Sequence, residues 1–382
     1  MINKNGVIEN QRILENFTMR HQQTHLFSDQ IPMTMTILVT NRCNLRCKHC
    51  FNFDTVHTND FNLNSTELTL EEFDTISKKM GFFASVFFGG GEPFIRKDFS
   101  EIVNLFRKNC NVQWCSTTSN GLLQESILEQ VPKICEYDPS KRFIMNFSLD
   151  GFKEQHDDIR GNGVFDKCVD TIKKVSKLKE KYSNLGIGLV TTMSTINESV
   201  LSEFFEWAAE EIHPNVISLL LVRQSPRDGA YMKKVDINNY IKAKETLEYL
   251  FSQGKNGNLE SPLGYIPMAF YNYIMKTMKT NKRTFYCHAG KYGGFVDHCG
   301  NVNVCEVFDE TEAGKYKIGN LRDFDYDFLK LWNSKKALEI KQKVNRVDCC
   351  EHCTHETEGL LPSIYFAPNT YKDRMNYIWK KM

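Results

Sequence analysis

The sequence predicts an α/β protein built on a parallel sheet. Three observations carry this expectation: six short apolar runs of strand length, helical segments between them, and glycine or turn signals at the strand ends. Composition agrees with a folded chain. Of 382 residues, 41% are hydrophobic and 12% aromatic, enough apolar surface for a core and too much for a disordered chain. Lys+Arg 48 against Asp+Glu 47 leaves a formal charge of +1. The basic excess that nucleic-acid binders carry is missing, so no nucleic-acid partner is expected.

Residues 1–32 precede the first strand as an N-terminal extension. Residues 33–39 read as a strand that ends at a group of cysteines. Thr69-Leu-Glu-Glu72 is a capping box that opens a helix reaching about Met80. A strand over 83–88 runs into Gly89-Gly90-Gly91-Glu92-Pro93, and a helix follows from about Asp98 to Lys108. The strand over 111–118 ends at Ser119-Asn120-Gly121, and another short helix precedes a strand over 143–149. Phe165, Val169, Ile172, Val175 and Leu178 share one helix face. A strand over 187–193, a helix over 198–210 and a strand over 216–222 complete the series. Six strands alternating with helices predict parallel βαβ units with right-handed crossovers. Alternation stops after Val222. Residues 236–253 and 267–279 read as helices, 285–307 is rich in Gly and Cys, and further helices fall at about 325–344. The predicted division is a core over 33–235, a helical connector over 236–284 and a second domain over 285–382.

The 13 cysteines are out of line with an otherwise ordinary composition. The N-terminus lacks a secretory signal, and no apolar run approaches the ~18 residues of a membrane span. A cytoplasmic, reducing location is therefore expected, where cysteines serve as metal ligands or catalytic groups. Spacing sorts them. Cys43, Cys47 and Cys50 form C-x3-C-x2-C, and Cys287, Cys299, Cys305, Cys349, Cys350 and Cys353 form a second set. Cys110, Cys115, Cys135 and Cys168 show no ligand spacing and read as small buried hydrophobes. Three local thiolates suit a 4Fe–4S cluster with one iron left open. A structural zinc site borrowing His49 or His57 is the plain alternative.

At this point the sequence resembles the radical S-adenosylmethionine (radical SAM) superfamily. Cys43, Cys47 and Cys50 match its cluster motif. His49 stands where that family usually has an aromatic ring near the SAM adenine. Gly90-Gly91-Glu92-Pro93, Ser119-Asn120-Gly121, Ser148-Leu149-Asp150-Gly151 and His156-Asp157-Asp158-Ile159-Arg160-Gly161 follow in order on successive strand ends. The resemblance covers about residues 33–225 and implies a partial (β/α)6 TIM-like barrel. It also implies roles. Gly90, Gly91 and Glu92 would take the SAM amino group, with Glu92 an organiser of strand ends. Arg160 and Ser148 would hold the SAM carboxylate, Asn120 and Asp150 would reach the ribose, and Val222 would pack against adenine. The chemistry implied is reductive cleavage of SAM to a 5′-deoxyadenosyl radical, which abstracts hydrogen from a substrate carbon.

The second cysteine set resembles the twitch domain, the shortened form of the SPASM domain found in that superfamily. Cys287, Cys305, Cys350 and Cys353 would hold one auxiliary 4Fe–4S cluster, with Cys349 and Cys299 as competing ligands and a four-cysteine zinc site as the alternative. The spacing looks like that of a twitch dehydrogenase that oxidises a cyclitol alcohol. An auxiliary cluster with four protein ligands implies electron transfer from the substrate radical. Arg223, at the end of the sixth strand, is the candidate to bind substrate or stabilise an alkoxide, against the plain alternative of a solvated loop arginine. The expected function is a radical SAM oxidoreductase acting on a small polar or carbohydrate-like substrate by dehydrogenation or epimerisation. A peptide maturase is the first alternative, and a non-enzymatic zinc or iron–sulfur scaffold the second. Only 42 residues precede Cys43, too few for the leader-peptide-binding domain of peptide-modifying relatives, which tilts the expectation towards a small molecule. Flavodoxin or ferredoxin is the expected electron donor.

Overall fold

The computed structural model describes residues 31–51, 66–223, 226–229, 234–255, 266–307, 316–346, 350–355 and 360. Its centre is a parallel sheet of six strands in which each pairs with the next in sequence: β1 (Thr34–Thr40), β2 (Ser85–Gly90), β3 (Trp114–Ser119), β4 (Arg142–Ser148), β5 (Leu185–Met193) and β6 (Val216–Leu221). β1 and β6 stand at opposite ends of this series, so the six strands form an open array. The expected α/β fold is what the structure shows.

Helices alternate with these strands: α1 (Leu70–Lys79), α2 (Phe99–Asn109), α3 (Gln124–Tyr137), α4 (Lys153–Arg160), α5 (Val164–Leu178) and α6 (Leu201–Glu211). Strand β1 is buried along nearly its whole length, as a parallel strand covered on both faces should be. Phe88 of β2 lies edge-on between Phe99 and Phe106 of α2, with ring centroids 6.2 and 5.5 Å away, and is fully buried. Replacing Phe88 by alanine is expected to cost about 3–5 kcal/mol, the range for truncating a buried phenylalanine. Urea denaturation of the variant beside the parent measures it.

Two helices depart from expectation. α3 is 14 residues long and carries Pro132 in its interior, which masked its length. α4 is so polar that only His156 and Ile159 are buried in it, and no apolar stripe marks it. The capping box of α1 forms as predicted: the Glu72 amide donates to Thr69 Oγ1 at 3.2 Å, and the Thr69 amide to Glu72 Oε2 at 2.9 Å. Glu72 does more than cap. It also accepts from Arg322 at 2.6 and 2.9 Å and from Tyr326, and Arg322, ahead of the capping contact, holds its carboxyl down at about 2.

Helices α7 (Ile237–Ser252) and α8 (Ile266–Thr280) follow the sixth strand. The Cys-rich region then returns to the first: β7 (Gly293–Val296) pairs parallel with β1, and β8 (Asn301–Asn303) and β9 (Gly319–Asn320) extend the sheet antiparallel to nine strands. The predicted helical stretch near 325–344 is two short helices, α9 (Phe328–Trp332) and α10 (Lys335–Lys341), divided where Ser334 caps the second by accepting from the Ala337 amide. No helix among the described residues is long and apolar enough to cross a membrane. Cys110, Cys115, Cys135 and Cys168 are buried in the core, as expected.

Candidate active site: the cluster loop and its clamps

The loop 43–50 leaves the carboxyl end of β1 and is fixed by the ends of four other strands. After β2, the Gly91 amide donates to the Thr40 carbonyl at 3.0 Å and the Glu92 amide to the Arg42 carbonyl at 2.8 Å. After β3, Asn120 Nδ2 donates to Asn44 Oδ1 at 2.8 Å. Beyond β4, the Lys48 amide donates to the Ile159 carbonyl at 2.9 Å, and Arg160 Nη1 lies 3.7 Å from Cys47 Sγ. After β6, the Arg227 amide donates to the Cys50 carbonyl at 3.0 Å and the Asp228 amide to the Lys48 carbonyl at 2.9 Å. Ligand sites of parallel sheets lie at this end of the strands.

The glycines acquire a reason here. A Cβ on Gly91 would lie 2.2 Å from the Arg42 carbonyl oxygen, and one on Gly90, whose φ is +136°, 2.1 Å from that of Thr40. The cluster loop passes so close that only glycine fits.

Glu92 is buried behind this contact. Its Oε1 accepts from Ser119 Oγ at 2.9 Å and from the Phe94 amide at 3.2 Å, while Oε2 accepts from the Asn120 amide at 2.8 Å. The carboxylate therefore ties β2 to β3. Burial pushes its pKa up to about 7, and the three donors pull back only part of that rise. A carboxyl raised above its unfolded value binds more protons when folded, so stability falls as pH rises from about 4.5 to about 7. The cluster-free protein should lose on the order of 3 kcal/mol across that window, and Glu92→Gln should flatten the slope of unfolding free energy against pH.

Asp150 and Arg160 form a buried pair, with Arg160 Nε 2.6 Å from Asp150 Oδ2. Asp150 Oδ1 accepts from the Thr192 amide at 2.8 Å, and His49 Nε2 lies 3.8 Å from Oδ2. Both carboxylate oxygens thus have partners within the protein. Burial pushes Asp150 up, but Arg160, with His49 and His156, outweighs it and holds the carboxyl at about 2. His49 goes the other way: burial lowers it to about 4, Asp150 offsetting only part, so its ring is neutral at pH 7. Ser148 is buried at the end of β4, and Val222 is bound through its amide to the Met193 carbonyl at 2.9 Å.

Arg223 is not a solvated loop arginine. Its guanidinium stacks on Phe51 at 3.6 Å from the ring centroid, and Nη2 bonds Glu306 Oε2 at 2.8 Å. Phe51 follows Cys50 and Glu306 follows Cys305. Arg223 therefore joins the two cysteine-bearing loops.

In the second set, burial pushes the Cys287 thiol up to about 12, and Cys353 and Cys350 push it in the same direction. Cys305 is buried two residues beyond β8. Cys299 stands elsewhere, 3.2 Å from Thr66 Oγ1, among Asp297, Arg322 and Glu67. Cys349 and His57 lie outside the described residues. Among the described residues no three His, Cys, Asp or Glu side chains converge as the ligands of a single ion do. In a four-iron cluster each thiolate belongs to a different iron, so the sulfurs stand farther apart. An all-thiolate donor set in two loops fits such clusters.

Sequence reasoning missed Arg227, Asp228, Asn44 and Thr192. Each acts through or upon backbone or an amide, and such contacts leave no residue-type signature.

Comparison with known proteins agrees with this geometry. Residues 37–208 match the family model of the radical SAM superfamily, and residues 287–354 match SPASM, described as an iron-sulfur cluster-binding domain. A GTP 3′,8-cyclase of Clostridium perfringens is 27% identical over 237 residues, covering 61% of this chain and 68% of the relative. A cysteine-type anaerobic sulfatase-maturating enzyme of Clostridium novyi is 28% identical over 334 residues, covering 82% of this chain and 83% of the relative. The solved structure of native anSMEcpe with bound AdoMet and Kp18Cys peptide shares the fold with a TM-score of 0.56 at 17% identity, over 91% of this chain and 98% of that one. The open parallel sheet, the cysteine loop at its carboxyl edge and the two matched models together make this chain a radical SAM enzyme with an auxiliary SPASM/twitch-type domain, using S-adenosylmethionine and 4Fe–4S clusters.

Proposed function

We propose that this chain is an oxidoreductase that removes hydrogen from a carbon of a polypeptide side chain, with the auxiliary cluster receiving an electron. One observation carries the redox reading: Arg223 touches the neighbours of both cysteine loops, so a substrate at the end of β6 would lie between the two centres. A relative aligned over four-fifths of each chain is a sulfatase-maturating enzyme, and this favours a polypeptide. The cyclase relative matches a shorter stretch.

When bound, the first cluster and SAM supply the radical that takes the hydrogen atom. The chain's own work is placement. Cys43, Cys47 and Cys50 hold that cluster, and Cys287, Cys305, Cys350 and Cys353 the second. Gly90 and Gly91, held against the Thr40–Arg42 backbone, are assigned with Glu92 to the side of SAM's amino group, and Asn120 stands nearby for the ribose. Asp150 fixes Arg160 at the cluster loop, where a guanidinium suits SAM's carboxylate, with Ser148 beside it. His49, neutral, and Val222 offer faces to adenine. Arg223 is assigned to the substrate. The domain division at 235 and 285, a cytoplasmic location and a flavodoxin or ferredoxin donor belong to the same reading.

A small polar or carbohydrate-like substrate is the second reading, favoured by the auxiliary cysteine spacing of 18, 45 and 3 residues (305 − 287, 350 − 305, 353 − 350). The test is anaerobic reconstitution, reduction and incubation with SAM. About eight irons per chain and 5′-deoxyadenosine are expected. Mass loss of two hydrogens on a Ser- or Cys-containing peptide supports the first reading. The same loss on a polyol but on no peptide overturns it.

A further inference from the structure

We propose that Arg283 sets the reduction potential of the auxiliary cluster by holding a fixed positive charge beside the Cys287 ligand. The inference rests on the reading that Cys287, Cys305, Cys350 and Cys353 hold that cluster. Arg283 sits four residues before Cys287, and its amide donates to the Glu351 carbonyl at 2.6 Å, between Cys350 and Cys353. Its side chain turns back on the same region. Nε donates to the Phe285 carbonyl at 3.0 Å, and Nη2 to Asn345 Oδ1 at 2.5 Å. That Asn345 oxygen also accepts from the Cys287 amide at 2.9 Å, and Asn345 Nδ2 donates to the Cys287 carbonyl at 2.9 Å. Asn345 adopts a φ of 73°, a left-handed conformation that asparagine tolerates better than most residues. Arg283 and Asn345 thus knit the Cys287 segment to the Cys350–Cys353 segment.

The charge of Arg283 is poorly compensated. Its side-chain hydrogen bonds go to neutral acceptors, and among the described residues no carboxylate lies within ion-pair distance. Nη1 is buried without a partner, which is costly for a guanidinium N–H unless something nearby repays it. A cluster gaining an electron becomes more negative, and a half-buried cation near the Cys287 ligand stabilises that state. Hydrogen bonds and charge around the sulfurs are the levers by which a protein sets such potentials. Arg283 accordingly raises the potential, which makes the cluster a better acceptor for the electron leaving the substrate.

The experiment uses the full chain with Cys43, Cys47 and Cys50 all replaced by alanine, so that only the auxiliary cluster remains. The protein is reconstituted anaerobically and titrated against potential by electron paramagnetic resonance. Arg283→Gln should keep its four irons and show a reduced-to-oxidised ratio about tenfold lower at the parent midpoint, ~59 mV for one electron. Arg283→Lys, which keeps the charge, should stay near the parent. A four-iron Arg283→Gln protein with an unmoved midpoint overturns the proposal. So does loss of iron from both variants with melting temperature retained, which would leave Arg283 only a ligand-holding role. Should Arg283→Gln fail to fold, Arg283→Met, which keeps the aliphatic stem without the charge, replaces it; the same fall is expected and the same unmoved midpoint overturns. A background protein that binds no iron ends the cluster reading itself.

Discussion

Gly91→Ala is expected to abolish 5′-deoxyadenosine formation as fully as Cys43→Ala, although it removes no ligand. The Cβ would lie 2.2 Å from the Arg42 carbonyl oxygen and 2.6 Å from its carbon. Those are backbone atoms, so no side-chain rotation relieves the clash. Either β2 shifts away from β1 or the cluster loop moves. Moving the loop breaks the Gly91–Thr40 and Glu92–Arg42 hydrogen bonds and displaces Cys43, one residue further on. Displacing Glu92 instead releases its hold on Ser119 and Asn120. Overpacking of this kind typically costs 1–3 kcal/mol, so the fold should survive while the cluster does not. The expected readings are a circular-dichroism melt lowered by several degrees, about four irons lost per chain, and no SAM cleavage above background. Full iron and normal cleavage would show that the loop has slack the geometry denies.

That result turns on a contact which was only half legible in the sequence. The strand order and the cysteine groups were readable because apolar period and cysteine spacing are properties of residue type. Gly90-Gly91 reads as a turn or as an approach to a ligand. Its nearest neighbour is instead the chain's own backbone at Thr40–Arg42. The Arg227 and Asp228 clamps were invisible because amide-to-carbonyl bonds depend on where the chain passes, not on which side chain it carries. Helix α4 escaped because a one-turn amphipathic signal is lost when only His156 and Ile159 face inward. Arg283 and Asn345 were hidden by their separation of 62 residues. Arg160 shows the opposite case: its motif is plain in the sequence, but only the fold shows that it lies 2.6 Å from Asp150.

Arg223→Ala should separate radical generation from substrate oxidation. Arg223 packs on Phe51 at the end of the cluster loop but supplies none of the hydrogen bonds described above that hold Cys43, Cys47 and Cys50, so 5′-deoxyadenosine formation without substrate should stay within a few-fold of the parent. Product formation should fall about thirty- to a hundred-and-sixtyfold, as for the loss of a partly desolvated, hydrogen-bonded charge at a binding surface worth about 2–3 kcal/mol. The side chains of Arg223 and Glu306 are 21% and 10% exposed, which argues against a larger figure. Arg223→Lys keeps the charge but loses the planar group stacked on Phe51, and should recover little. The swap Arg223→Glu with Glu306→Arg decides between two causes. If the pair merely docks the auxiliary loop against the end of β6, the swap restores product along with the ion pair. If Arg223 addresses the substrate, the swap re-forms the ion pair and leaves product formation low, because the cation then stands on the wrong loop, beside Cys305 rather than at the end of the strand. Low product from the swap, together with parental SAM cleavage and full iron, is the outcome that this geometry leads us to expect.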